Sequence, residues 1–179
     1  MFSNLFKSNT FRHGIHPPEH KEETAKLAIK QFPFATEIVL PIVQHIGAPS
    51  QIIVSEGQEV QRGQLLATAN GYVSVPLHSP VSGTVKKIKP VHTISGKMVP
   101  GIHIKPFPSS GQQAIKGDYL DVETASTYEI LKAIQNAGIV GLGGAAFPTH
   151  VKLKVPEGKE CKVLMLNGIE CEPFLTTDH

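Results

Sequence analysis

Two short loops hold the residue types best suited to chemistry in this 179-residue chain. The first runs Gly141-Leu142-Gly143-Gly144-Ala145-Ala146-Phe147-Pro148-Thr149. Gly141, Gly143 and Gly144 leave backbone N–H groups uncovered and permit φ > 0, a combination that builds anion-binding nests. Lys152 follows closely and offers an ammonium to a phosphate. The second loop, Asn167-Gly168-Ile169-Glu170-Cys171-Glu172-Pro173, lies just past an apolar run. Asn167 carries both a donor and an acceptor for the edge of a heterocycle. Glu170 and Glu172 can accept from sugar or polyol hydroxyls. Taken alone, each loop also reads as plain structure: a helix end with a packing turn, and two surface carboxylates. Gly141-x-Gly143-x-x-Ala146 has the spacing of a dinucleotide fingerprint, but that motif follows a strand and opens a helix. Here it follows a helical pattern and runs into Phe147-Pro148, so the fingerprint is rejected.

The elements that must position these loops come next. Ser126–Gly138 (STYEILKAIQNAG) predicts a helix, with Ser126 and Glu129 as a capping box and Gly138 at C′. Its apolar face carries Ile130, Ile134 and Ala137, with Leu131 beside them. Lys162–Asn167 (KVLMLN) predicts a parallel strand buried on both faces. A helix, a glycine loop and a buried strand signal the start of an α/β domain. Upstream, residues 34–108 alternate short β-rich runs with turns, which implies a small antiparallel sandwich or barrel. These runs include Glu37–Val43, Gln51–Val54, Tyr72–Val75 after Asn70-Gly71, His78–Ile88 and Gly101–Phe107. Residues 1–33 read as an extended segment, and within it Pro17 and Pro18 forbid a regular helix over Gly14–His20. His13, His16 and His20 are spaced like ligands, but the prolines break the face that would converge them, so no metal is assigned. Residues 109–125 are polar and linker-like, and residues 126–179 hold the two loops.

Bulk properties exclude several classes. Net charge is +2, with no Trp and no basic patch interleaved with aromatics, so no nucleic-acid partner is expected. No apolar run approaches the roughly 18 residues of a membrane span. The N-terminus lacks the apolar stretch of a secretory signal, so a cytoplasmic location is expected. Cys161 and Cys171 are the only cysteines; reduced thiols are expected, and two cannot hold an iron–sulfur cluster.

Glu56, Gly57, Val60, Gly63, Gln64 and Leu66, followed by Ser79, Pro80, Gly83 and Val85, resemble the two halves of the biotinyl/lipoyl family. That resemblance implies a flattened β-barrel with a modified lysine at a hairpin tip. Counting about six residues on from Leu66, or about eight back from Pro80, lands on Tyr72, and no Lys lies between Arg62 and Lys86. The module is therefore read as a structural or docking scaffold rather than a carrier.

The loops GLGGAAFPTHVK and NGIECEP resemble those of the NADH- and FMN-binding flavoprotein subunit of respiratory complex I. With GIHPPEHK at Gly14–Lys21 and LPIVQHIGAP at Leu40–Pro49 in order before them, the chain is most similar to the C-subunit family of Rnf electron-transport complexes. The fold class implied is α+β: a lipoyl/biotinyl-like all-β barrel-sandwich module, then the incomplete start of an α/β flavin-binding domain. The resemblance implies that Gly141, Gly143 and Gly144 cradle FMN, that Lys152 approaches its phosphate, and that Asn167 and Glu170 bind the flavin. It gives Phe147 to the nicotinamide site and Glu172 to the nucleotide. Leu142, Ile169 and Cys171 stand where the complex I pattern has Arg, Asp and Ser. No catalytic general base is implied.

The implied activity passes electrons between NAD(H), FMN and iron–sulfur centres, linking ferredoxin to NAD in a membrane complex that moves Na⁺ or H⁺. The protein is expected to be peripheral, on the cytoplasmic face of the membrane, partnered by other Rnf subunits. The family's 4Fe-4S cysteine motifs are absent here and are expected only C-terminal to His179. FMN binding by these 179 residues alone is expected to be weak or absent, with loose packing from Val140 onward. The other readings are a non-catalytic docking module, or a flavoprotein of the cobalamin reductase type, whose flavin loops precede the lipoyl-like part. Because Tyr72 replaces the carrier lysine, co-expression with lipoyl and biotinyl ligases should leave the intact mass at that of the bare chain. An added lipoyl or biotinyl mass would refute this.

Overall fold

The computed structural model describes residues 18–30, 32–33, 35–108, 111–166 and 173–174. The chain divides into two units, one from its two ends (Met1–Gln31 with Met165–His179) and one from Phe32–Leu164.

Within Phe32–Leu164, two antiparallel sheets enclose the core. The first contains β1 (Ile38–Pro41), β3 (Glu59–Val60), β6 (Gly83–His92) and β7 (Met98–Pro106), in the order β1-β7-β6-β3. The second contains β2 (Gln51–Ile52), β4 (Leu65–Thr68) and β5 (Leu77–His78), in the order β2-β4-β5. Alternation along β3, β4, β6 and β7 drives Val60, Leu66, Val85, Ile102 and Ile104 into one apolar cluster, which Val54 and Val81 join from loops. Ile38, Leu40, Ile52 and Ile88 close its margins. Tyr72–Val75 forms no strand. It belongs to the loop joining β4 to β5, where backbone groups bond sideways to other segments.

The two motif halves explain each other. Ser55–Gln58 and Gln61–Gln64 are both four-residue turns closed from the fourth N–H to the first carbonyl, at 3.2 and 3.0 Å. Each has glycine third, Gly57 (φ 84°) and Gly63 (φ 87°), the type II requirement. In each the Gln side chain accepts from the first N–H, at 3.1 and 3.0 Å. Each turn then brackets one residue of the second half. Gly57 donates to Val85 O and Gln58 O accepts from Val85, while Gly63 donates to Ser79 O and Gln64 O accepts from Ser79.

After the sandwich come α1 (Thr127–Asn136), β8 (Val140–Gly141), β9 (Phe147–Pro148) and α2 (Thr149–Leu153). The predicted capping box forms: Ser126 Oγ accepts from Glu129 N, and the Glu129 carboxylate accepts from Ser126 N at 2.8 Å. Gly138 follows with φ 74°. The segment before α1 is strapped to the sandwich despite its linker-like composition. Gln112 Nε2 donates to Ser82 O and Phe107 O, its Oε1 accepts from Ser82 N, and Ile115 N donates to Arg62 O at 2.8 Å.

Lys162–Leu166 differs from expectation. It forms no strand, and Leu164 is two-thirds exposed. A strand needs a neighbour for its N–H and C=O groups, and none lies beside this run among the described residues. Among the ends, Phe174 N donates to Glu19 O at 2.9 Å and the Phe174 ring stacks on His20 at 4.8 Å. His13 and His16 lie outside the described residues.

Two outcomes follow. Gly47 has φ 123°, and a Cβ there would collide with Val73 O. Gly47→Ala should therefore cost at least about 2 kcal/mol in denaturant unfolding; an unchanged midpoint would refute the close approach. The Glu37 carboxylate accepts from His103 Nδ1 at 3.1 Å, with Lys87 Nζ at 3.7 Å. The His103 hydrogen bond holds the Glu37 carboxyl below its ordinary 4.5, assisted by the Lys87 charge and opposed by desolvation. A depressed carboxyl stabilises the fold above pH 4.5 and loses that contribution as pH falls below it. The Tm gap between wild type and Glu37→Gln should be fully open above about pH 5.5 and close by about pH 3; a gap independent of pH would count against it.

Candidate functional site

The loop Ala69–Pro76 is the hairpin tip where a carrier would hold its lysine, and here it is a seat. One side is fixed by the segment before β2. Ser74 Oγ donates to Ala48 O and accepts from Asn70 N, both at 2.9 Å. Ser50 Oγ donates to Val75 O at 2.8 Å, Val75 N donates to His45 Nε2 at 3.4 Å, and Ala48 N donates to Val73 O at 3.0 Å. Ser74 and Val75 are buried by this packing.

The other side meets the two helices. From α1, Gln135 Nε2 reaches Gly71 O, Tyr72 O and Ser74 O at 3.3, 3.5 and 3.0 Å. Its Oε1 accepts from Lys132 Nζ at 3.2 Å, which orients the amide. From α2, His150 Nε2 lies 2.7 Å from Tyr72 O. A carbonyl only accepts, so Nε2 carries the proton. His150 is 2% exposed, and its Nδ1 is buried with no partner. The Tyr72 ring meets the His150 ring edge-on at 5.3 Å, and Lys154 Nζ stands 5.0 Å above the Tyr72 centroid. The most buried residue of α1 is thus the polar Gln135, while Ala137, assigned to the apolar face, is exposed. A cleft of about 550 Å³ beside the seat is lined by Tyr72, Tyr128, Leu131, Lys132 and Lys154.

The glycine loop is a hairpin. Val140 pairs with Pro148 and Gly141 with Phe147, leaving Leu142–Ala146 as the turn. Loose packing is expected from Val140 onward, yet Val140–Leu153 carries two strands and a helix tied to the sandwich. Thr149 N donates to Ile139 O at 3.0 Å, Ile46 N donates to Ala146 O at 3.3 Å, and Pro148 is fully buried. The left-handed residue is Ala146 (φ 51°), not Gly141 or Gly144. What glycine supplies is space. A Cβ on Gly141 would run into Lys152 Nζ, and one on Gly144 would meet nothing within 4 Å. Gly143 lies in the same exposed turn, and Phe147 is half-buried in β9.

The structure therefore brings the Lys152 ammonium against the Gly141 backbone, with Phe147 on the paired strand. Asn167, Glu170 and Glu172 lie outside the described residues. Sequence reasoning missed Gln135 and His150. Gln135 sits inside an apolar helical pattern, and His150 lies within the GLGGAAFPTHVK loop, where the resemblance gives it no role.

Residues 9–107 match the family described as RnfC Barrel sandwich hybrid domain, and residues 134–179 match the Nuo51 FMN-binding domain. The chain is 43% identical over 176 residues to the C-subunit of the Na(+)-translocating ferredoxin:NAD(+) oxidoreductase complex of Acetobacterium woodii, covering 97% of this chain and 39% of that protein. It is 39% identical over 171 residues to the C-subunit of the proton-translocating ferredoxin:NAD(+) oxidoreductase complex of Clostridium ljungdahlii, covering 95% and 37%. It is 38% identical over 170 residues to the C-subunit of the ion-translocating oxidoreductase complex of Haemophilus influenzae strain Rd, covering 94% and 20%. The chain thus spans between a fifth and two fifths of the length of these relatives.

Proposed function

The chain belongs to the RnfC family, and from that premise we propose that it supplies the phosphate-side face of an FMN site in a ferredoxin:NAD oxidoreductase complex. The observation that carries this reading is the Lys152 ammonium packed over the bare backbone of Gly141. A dianionic phosphate suits that pair: the cation offsets its charge, and the missing Cβ lets it approach the amides of the turn. The match of residues 134–179 to an FMN-binding domain supports the same ligand.

On this reading Gly141, Gly143 and Gly144 form the wall of the cradle and Lys152 pairs with the phosphate. Phe147 lines the nicotinamide approach. Asn167 and Glu170 hold the flavin, and Glu172 contacts the nucleotide. Bound FMN would supply hydride exchange with nicotinamide and single-electron transfer to iron–sulfur centres. The protein's part is to bind, orient and screen charge, and no side chain here moves a proton in the reaction. Residues 34–108 serve as scaffold, 109–125 connect, and 126–179 begin the flavin domain. NAD(H) and the other members of an Rnf-type complex are the partners, with 4Fe-4S clusters in the remainder of the full-length protein. The protein sits peripherally on the cytoplasmic face of the membrane. Among the described residues no helix is long and apolar enough to cross one. The names of the relatives carry both Na⁺ and proton translocation, so the proposal stays at ion translocation.

The test uses the full-length gene product. Lys152→Ala should weaken FMN at least about tenfold, a loss of about 1.4 kcal/mol, and leave riboflavin within about twofold. Unchanged FMN affinity in both Lys152→Ala and Glu170→Ala would sink the assignment.

A further inference from the structure

We propose that the hairpin tip Ala69–Pro76 sets the aim of Lys152, with His150 and Gln135 as the positioning residues. The inference rests on the flavin reading above and deepens it.

The five residues of α2 make little more than one turn, and a helix that short does not hold its own orientation in water. Its direction must come from contacts outside it. His150 supplies one from within the helix, through Nε2 to Tyr72 O. Lys152 lies two residues later, about 200° around the axis at about 100° per residue. His150 therefore faces inward to the tip while Lys152 faces away from it, over Gly141. A helix pinned at one azimuth is pinned at the opposite one. If α2 turned by one residue, about 100°, the ammonium would leave the glycine turn.

Gln135 fixes the other coordinate. Its two amide hydrogens hold α1 to Ser74 O and Gly71 O of the same loop, and α1 leads through Gly138 into β8. A Cβ on Gly138 would stand only 3.0 Å from Pro76 O, so the helix end also abuts the tip. The two arms of the site, the glycine turn after α1 and the ammonium on α2, are thus referenced to one loop. The acceptors are backbone atoms, so the loop can serve with any side chain at its apex. The Tyr72 ring adds an edge contact to His150 and a face for Lys154.

The experiment measures FMN and riboflavin affinities, and amide exchange over residues 140–154 and 98–106, in the full-length gene product. The variants are His150→Ala, His150→Gln, Gln135→Ala and, for reference, Lys152→Ala. The amide nitrogen of Gln stands about where His Nε2 does and can donate to the same carbonyl. We expect His150→Ala to cut the preference for FMN over riboflavin about tenfold, and His150→Gln to restore it to within about threefold of wild type. Gln135→Ala should act in the same direction as His150→Ala. Exchange should quicken over 140–154 and stay unchanged over 98–106. Faster exchange with an intact FMN preference would overturn the proposal, because the contact would then be structural alone. Unchanged exchange in His150→Ala and Gln135→Ala would overturn it too. A wild type that binds both flavins equally, and matches Lys152→Ala, would instead overturn the flavin reading on which the proposal rests.

Discussion

The arrangement around the glycine turn depends on three backbone carbonyls, those of Gly71, Tyr72 and Ser74. A carbonyl turned into protein must find a donor or forfeit the hydrogen bond it made with water. The loop holding these carbonyls cannot satisfy them itself, because it is neither strand nor helix and its other polar groups are spent on Ser50, Ala48 and His45. Donors come instead from Gln135 and His150, which lie more than sixty residues away in sequence. The same bonds that satisfy the tip anchor α1 and α2, and through them the glycine hairpin.

The packing of the tip also differs from what a carrier arm needs. A swinging cofactor arm needs its attachment residue free in solvent on a mobile tip. Here the tip is braced on both sides, by Ser50 and His45 beneath it and by the helices above. A tip held in this way is not a free arm. The sandwich below is held together in a related way. Its two glycine–glutamine turns each grip one residue of the opposite half, so the halves stabilise each other by hydrogen bonds as well as by the shared apolar cluster.

Much of the fold is legible in the sequence because local rules agree with the global answer. The capping box of Ser126 and Glu129 forms, since both partners lie within one turn and need nothing else. Gly57 and Gly63 are turn residues as their motifs imply, because a type II turn is a four-residue problem. The strand expected at Tyr72–Val75 does not form. Asn70-Gly71 signals a turn, but whether the next residues pair or splay depends on what packs against them. Lys162–Leu166 departs from its pattern for a similar reason, since apolar content states a preference for burial and cannot provide the neighbouring strand. The glycine loop is half legible. Its openness and its lysine follow from the residues, whereas the positive φ falls on Ala146.

Sequence by itself determined the order of modules, the two turn motifs, the capped helix and the chemical kinds present in the loops. These are properties of short windows, where spacing alone decides which groups meet. Only the tertiary structure decided that Gln135 is the buried residue of α1, that His150 faces the tip, and that Lys152 lies over Gly141. Each is a choice among faces of a helix, and the winning face is the one whose partner carbonyls are already waiting. That partner lies in a loop remote in sequence, and no pattern within α1 or α2 records where it is. Tyr72 stands at the tip in the sequence, but only the structure shows that its carbonyl meets His150.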